Sequence, residues 1–246
     1  MRKYALVTGA TSGIGREIAV KLAEKGFSVI AVGRNKEELS SLSEKYGMVP
    51  SVCDLSEKDK CVSLWKAYRK FNICIVVNCA GFGYVSDFDK ISIDDDAEMI
   101  NVNITAVQIL TKLFSASMKS GVILNVCSAS AFSPEPLMAS YAASKAYVYS
   151  YSRAVDCELQ KRHSNVRVRL LCPGAVSTRF EKTAGVKNPL PAISAEKCAE
   201  YAVKAIEGRK AVTVTGCKMK ISRLLSKLVP ESIILDVQYK IQGSKR

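Results

Sequence analysis

Lys3-Tyr4-Ala5-Leu6-Val7-Thr8, followed at once by Gly9-Ala10-Thr11-Ser12-Gly13-Ile14-Gly15, is the stretch that decides the fold. The first six residues make a short apolar strand, and beyond the glycines a helix follows with Ile18, Ala19, Leu22 and Ala23 facing inward. A strand, a glycine turn and a helix in direct succession are suited to holding a dinucleotide. The glycines let the backbone approach a pyrophosphate, and the helix N-terminus offers unpaired N–H groups and the positive end of its dipole. The spacing here is Gly-x-x-x-Gly-x-Gly, not the commoner Gly-x-Gly-x-x-Gly.

Working outward, the second strand, Phe27 to Val32, ends in Gly33-Arg34-Asn35. In a dinucleotide fold this end lies beside the adenosine ribose, where a carboxylate would bind a free 2'-hydroxyl and repel a 2'-phosphate. No carboxylate stands there, and the guanidinium of Arg34 suits a phosphate, so the expected cofactor is NADP(H). A helix from about Lys36 to Tyr46 leads to a third strand ending at Cys53-Asp54-Leu55. Asp54 either accepts from the adenine amino group or caps the following helix. The fourth strand, Ile73 to Val77, runs into Asn78-Cys79-Ala80-Gly81, whose small residues let the chain pass close to a cofactor, with Asn78 bracing the central strands. The stretch Phe82 to Ile93 reads as disordered. After it comes a long helix with the core stripe Met99, Val102, Ala106, Ile109, Leu110 and Leu113, interrupted by Asn103. A buried asparagine must find partners, and a water chain from the site is one such partner.

The chemistry centres on Tyr141-Ala142-Ala143-Ser144-Lys145. Residues four apart share a helix face, so the Lys145 ammonium can sit beside the Tyr141 phenol and favour its ionised form. Ser128 ends the apolar run Val122 to Cys127, a buried strand that delivers a hydroxyl to its carboxyl end.

Together these elements resemble the classical short-chain dehydrogenase/reductase family. They stand in that family's order as Thr8 to Gly15, Asn78 to Gly81, Asn103, Ser128, Tyr141 with Lys145, and Pro173-Gly174. Asn101 is the rival for the asparagine role, and Asn103 is preferred because Asn103-Ile104-Thr105-Ala106 has the family's small residue three positions on. The resemblance covers about residues 1 to 215 and implies one doubly wound α/β (Rossmann) domain, a parallel seven-stranded sheet flanked by helices. It implies an oxidoreductase passing hydride between nicotinamide and a carbonyl or secondary alcohol, with Asn103, Ser128, Tyr141 and Lys145 catalytic. Tyr141 would act as acid and base, Ser128 would hold the substrate oxygen, Lys145 would also bind the nicotinamide ribose, and Asn103 would anchor a relay water. The expected cofactor contacts are Gly9, Thr11, Ser12, Gly13, Ile14, Gly15, Arg34, Asp54, Leu55, Asn78, Ala80, Gly81, Tyr141, Lys145, Pro173, Gly174, Val176 and Thr178. A non-catalytic NADP(H)-binding regulator on the same fold is the alternative.

Composition bounds the rest. The 246 residues are 48% hydrophobic and 24% charged, enough for one substantial core. Nine cysteines form no Cys-x-x-Cys pair and mostly sit in or beside apolar runs, which fits a reducing cytosol, so the expected location is cytoplasmic. No apolar run approaches the roughly 20 residues a membrane span needs. The net charge of +13 is read as scattered lysines on solvated faces and not as a nucleic-acid surface. No zinc-ligand spacing occurs, no metal is expected, and the single histidine, His163, reads as a surface loop residue. A homodimer or homotetramer is expected.

Arg179 to Ile193, with Gly185, Pro189 and Pro191, suits either a mobile substrate lid or a long surface loop. A helix, Ala195 to Glu207, precedes the strand Ala211 to Thr215, after which the family's common Asp-Gly-Gly ending is missing. Lys218 to Arg246 instead forms a basic helical extension, resembling those of a bacterial subgroup of uncharacterised oxidoreductases. Ile221, Leu224, Leu225 and Leu228 make one apolar face among Lys218, Lys220, Arg223 and Lys227. Pro230-Glu231 starts a second helix striped by Ile233, Ile234, Val237 and Ile241. The pair is expected to pack on the pocket or on a second subunit, in preference to lying on an anionic membrane surface.

Overall fold

A computed structural model describes residues 2–216, 219–221, 224 and 228–246. Lys218, Arg223, Leu225 and Lys227 of the basic extension lie outside the described residues. Seven parallel strands form the central sheet: β1 (Tyr4–Thr8), β2 (Ser28–Gly33), β3 (Val49–Val52), β4 (Ile73–Asn78), β5 (Gly121–Val126), β6 (Val166–Cys172) and, last in the chain, β9 (Val212–Val214). Their order is β3-β2-β1-β4-β5-β6-β9, as the doubly wound reading requires. Two residues each of β7 (Val176–Ser177) and β8 (Ile193–Ser194) pair beside it. The order reverses between β1 and β4, and such a reversal opens a crevice at the strands' carboxyl ends.

The strands are near-continuous apolar runs because both faces are covered. On one face α1 (Gly13–Glu24), α2 (Lys36–Tyr46) and α8 (Ala195–Glu207) bury Ile18, Leu22, Leu39, Leu42 and Ala202 against β1, β2 and β4. On the other, α3 (Lys58–Tyr68), α5 (Val107–Ser117) and α6 (Ala139–Lys161) pack Leu64, Leu110, Phe114, Val155 and Leu159 against Leu6, Ile30, Val76 and Ile123. Each fully buried Leu, Ile or Phe among them stabilises by about 1.5–3 kcal/mol. α2 spans the expected residues because Asn35 accepts from the Glu38 N–H and Gly47, at φ 65°, ends it.

Helix α4 (Ile93–Ile100) does not run straight into α5. The backbone between them, Asn101–Ala106, widens into a π-helical turn. Phe82 to Ile93, expected to be disordered, is held by specific bonds. Val85 N–H donates to the Ala184 carbonyl at 2.8 Å, Ser86 N–H to Leu137 at 2.9 Å, and Asn103 brackets Phe82. These partners are remote in sequence, so composition alone cannot reveal them.

The last helix, α9 (Glu231–Gly243), packs over the same end of the sheet. Its most buried residue is Gln242, while Ile233 and Val237 of the expected apolar stripe are exposed and Ile241, also exposed, borders the cavity below. The reason lies beneath it: Glu135 and Ser133 offer polar partners to Gln242 and Gln238. The chain end is tied down as Lys187 N–H donates to the Lys245 carbonyl at 2.8 Å and Arg246 pairs with Asp87 at 3.0 Å. His163 is exposed in the turn after α6. Among the described residues no helix is long and apolar enough to cross a membrane.

Candidate active site

A cleft with two lobes follows the carboxyl ends of the strands. One lobe, of about 430 Å³, is lined by Thr11, Ser12, Arg34, Asp54, Leu55 and Glu98. The other, of about 520 Å³, is lined by Ser128, Tyr141, Lys145, Pro173, Gly174, Val176 and Thr178, with Val85, Met138, Phe180 and Leu190 as apolar walls. Gly9, Ser12, Ala80, Gly81 and Phe82 border both, so the glycine turn lies at the junction.

The turn is built for close approach. Gly9 has φ 67°, and a Cβ there would come within 2.9 Å of the Ala80 backbone. Ala80 is fixed in turn because Thr8 Oγ1 accepts from the N–H groups of Cys79 and Ala80 at 3.0 and 3.2 Å. Ser12 precedes α1 without a side-chain capping bond, and the first turn of α1 contains no acidic residue. Such a helix start favours an anion. A dinucleotide's pyrophosphate therefore fits the residues present, with Gly13, Ile14 and Gly15 on the same border of the larger lobe.

In the smaller lobe Arg34 is already engaged. Its Nη1 donates to Glu98 Oε1 at 2.8 Å and lies 3.9 Å from Asp54 Oδ2. No carboxylate stands at the end of β2 in sequence, but α4 brings Glu98 to it from 64 residues away. Asp54 caps a turn and not α3: its Oδ1 accepts from the Ser56 N–H at 3.0 Å and the Ser56 hydroxyl at 2.8 Å. Those bonds hold its carboxyl below the usual range, with a smaller contribution from Arg34.

In the larger lobe β5 delivers Ser128 and α6 delivers Tyr141 and Lys145. Ser128 Oγ accepts from the Ser130 N–H at 3.1 Å and is bonded to the Ser130 hydroxyl at the same distance. The Lys145 ammonium lies 5.6 Å from the centroid of the Tyr141 ring and donates to the Val126 carbonyl at 3.4 Å. Burial pushes the Tyr141 phenol well above its ordinary value, and the Ser128 hydrogen bond opposes this. Burial also pushes the Lys145 ammonium down, against the nearby thiols. The expectation that Lys145 lowers the phenol's pKa thus meets an opposing effect: desolvation raises it, and the nearby Glu135 carboxyl acts in the same direction.

Asn103, completely buried, uses its side chain on protein. Nδ2 donates to the Phe82 carbonyl at 2.8 Å and the Ser144 hydroxyl at 3.1 Å, while Oδ1 accepts from the Phe82 N–H at 3.1 Å. It thereby shapes the cleft floor at Phe82. Asn101, its rival in the sequence, is only partly buried. Asn78, expected among the cofactor contacts, has its side chain elsewhere: it donates to Thr111 at 3.2 Å and Asn125 at 2.8 Å, in a network that Asn125 extends to Ser152. It braces β4 and β5 against α5 and α6 and lines neither lobe.

Pro173 accepts from the Ala129 N–H at 2.7 Å, and Gly174 N–H donates to Thr215 at 3.2 Å, which fixes the turn after β6. Thr178 caps the short helix α7 (Arg179–Thr183), accepting from the Phe180 N–H at 3.2 Å, and packs against Gly13. Phe180 tilts over Tyr141 with ring centroids 5.3 Å apart. The segment from Arg179 to Ile193 thus roofs the site, and Glu135, Gln242 and Lys245 from outside the family motifs complete the wall.

The short chain dehydrogenase family matches residues 3–188. Hydroxysteroid dehydrogenase-like protein 1 of Gallus gallus is 32% identical over 245 residues, 94% of this chain and 73% of that protein. The very-long-chain 3-oxoacyl-CoA reductase of Anas platyrhynchos is 35% identical over 73% of this chain, which spans only 61% of that relative's length. A short-chain dehydrogenase from Sphingobium yanoikuyae, solved in complex with NADPH, superposes with a TM-score of 0.81 at 25% identity, covering 92% of this chain and 93% of that one. A short chain dehydrogenase/reductase from Burkholderia phymatum in complex with NAD shares the fold at 22% identity, with a TM-score of 0.82 over 91% and 92% of the two chains.

Proposed function

Since the chain belongs to the short-chain dehydrogenase/reductase family, we propose that it is an NADP(H)-dependent oxidoreductase acting on a carbonyl or secondary alcohol, with Tyr141 as the proton donor and acceptor. The observation that carries this reading is the convergence of Ser128, Tyr141 and Lys145 on one apolar-walled cavity that adjoins the glycine turn. Bound there, nicotinamide supplies or accepts the hydride. Gly9, Ser12, Gly13 and the N-terminus of α1 would hold the pyrophosphate, Lys145 would hold the nicotinamide ribose, and Thr178 would donate toward the carboxamide.

Hydride arriving at a carbonyl carbon leaves negative charge on the oxygen, and a donor placed there stabilises it. Ser128 holds that oxygen and Tyr141 protonates it. Burial keeps the phenol protonated at neutral pH, which suits donation to a carbonyl. Phe180 and the apolar walls keep water away from the exchange.

Preference for NADP(H) rests on Arg34, whose guanidinium faces the smaller lobe and would exchange Glu98 for a 2'-phosphate. The NADPH held by the Sphingobium relative supports that reading. The assembly expected is a homodimer or homotetramer, for which Phe88, Ile93, Ile100 and Tyr147 are exposed apolar side chains. Turnover of a ketone panel with NADPH tests the proposal: reduction of at least one member by the wild-type chain supports an enzyme, and cofactor binding without turnover points to the regulatory alternative.

A further inference from the structure

The larger lobe contains a polar wall that proton and hydride transfer leave unused. Glu135 is 8% exposed and Gln242 is 3% exposed, and both border the cavity that contains Tyr141. Gln242 Nε2 donates to Glu135 Oε2 at 3.1 Å, across 107 residues of sequence. Among the described residues the other end of that amide has no match: Gln242 Oε1 is buried and accepts no hydrogen bond from any of them. An acceptor so placed is costly unless something donates to it, and buried polar groups are as a rule paired.

Lys245 borders the same cavity, and its charge and that of Glu135 act on each other. The wall therefore combines an anion, a cation and an unpaired acceptor. A ligand ammonium would be attracted by Glu135 but opposed by Lys245, and a ligand carboxylate would meet the reverse. A neutral hydroxyl meets no such conflict, since it can donate to Gln242 Oε1 and accept from the Lys245 ammonium.

We propose that Glu135, Gln242 and Lys245 form a hydroxyl-binding subsite, so that the preferred substrate is an apolar carbonyl compound carrying a neutral hydroxyl remote from the reacting carbon. This deepens the reductase reading and rests on it for the identity of the reacting carbon. The binding itself does not depend on turnover.

The test is calorimetric titration of the full-length protein, saturated with NADP⁺, with three medium-chain ketones that share one carbon skeleton and end in a methyl, a hydroxyl or a carboxylate. The hydroxy ketone should bind about tenfold more tightly than the methyl ketone, as expected where a site pairs with a ligand hydroxyl. Gln242→Met should bring its affinity down to the level of the methyl ketone. The wild-type comparison stands without the variant, should that variant fold poorly. Equal affinity for the methyl and hydroxy ketones, tightest binding of the carboxylate, or no binding of the hydroxy ketone would overturn the subsite. Preferential binding of the hydroxy ketone without its reduction by NADPH would leave the subsite standing and remove the reductase reading. Reduction of all three without preference would do the opposite.

Discussion

Lys145 stands over the face of Tyr141, its ammonium 5.6 Å from the ring centroid, with the Val126 carbonyl as its hydrogen-bond partner. Burial moves the two groups apart in titration, the phenol upward and the ammonium downward from 10.5. A lowered ammonium pKa means that the charge is lost as pH rises through a value below 10.5, while the phenol is still protonated.

The alkaline fall of kcat/KM for carbonyl reduction should therefore belong to Lys145. It should begin below 10.5, and Lys145→Arg, whose guanidinium keeps its charge, should shift it to higher pH even as the absolute rate drops. A limb that stays in place in the variant would assign the titration to another group.

Cofactor choice should respond to the Arg34–Glu98 pair. Glu98→Gln removes the competing carboxylate 2.8 Å from the guanidinium and should raise the NADPH-to-NADH ratio of kcat/KM by about 3- to 10-fold. Arg34→Asp should invert the preference. Unchanged ratios in both variants would remove Arg34 as the discriminator.

Local signals made much of this molecule legible. The strand-glycine-helix opening, α2 from Lys36 to Tyr46, α8 from Ala195 to Glu207 and the buried strands all follow from short-range periodicity and caps. The site was less complete in the sequence wherever partners are distant. Glu98 reaches Arg34 across 64 residues and Gln242 reaches Glu135 across 107, and neither belongs to a recurring pattern. Asn78 braces the central strands as expected, but it does so through Thr111 and Asn125, 33 and 47 residues away, which no local pattern names. On α9 helical periodicity marks the face of Ile233, Val237 and Ile241 but does not say that Ser133 and Glu135 await Gln238 and Gln242 on the other.

Breaking the Asn78 network should cost stability and not cofactor binding. Asn125→Ala takes from the Asn78 amide the shorter of its two hydrogen bonds, leaving only Thr111, and removes the donor to the Ser152 hydroxyl, a loss of about 1–3 kcal/mol. Thermal unfolding should come earlier by roughly 2–12 °C for a chain of this size, while NADPH affinity measured below the transition stays near wild type. A selective loss of cofactor affinity would return Asn78 to the cleft.

Glu135 supplies a pH signature of its burial. Desolvation raises its carboxyl above the unfolded value, so folding favours the protonated form. That stability is fully present below the unfolded pKa and is lost as pH rises through the folded pKa. Glu135→Gln, which cannot ionise, should gain stability relative to wild type as pH rises from about 4 toward 7. A constant difference between the two melting curves across that range would show that Glu135 is fully compensated by its neighbours.

The most direct test of the account follows one turnover. NADPH and a reducible ketone are mixed with wild-type protein and with Tyr141→Phe, hydride transfer is followed by loss of reduced-nicotinamide absorbance, and NADPH affinity is measured in parallel. With Tyr141 as the proton donor, the variant should lose roughly 10²–10⁴-fold in the transfer rate and keep its affinity for NADPH. Transfer in Tyr141→Phe at a rate close to wild type would contradict the central claim.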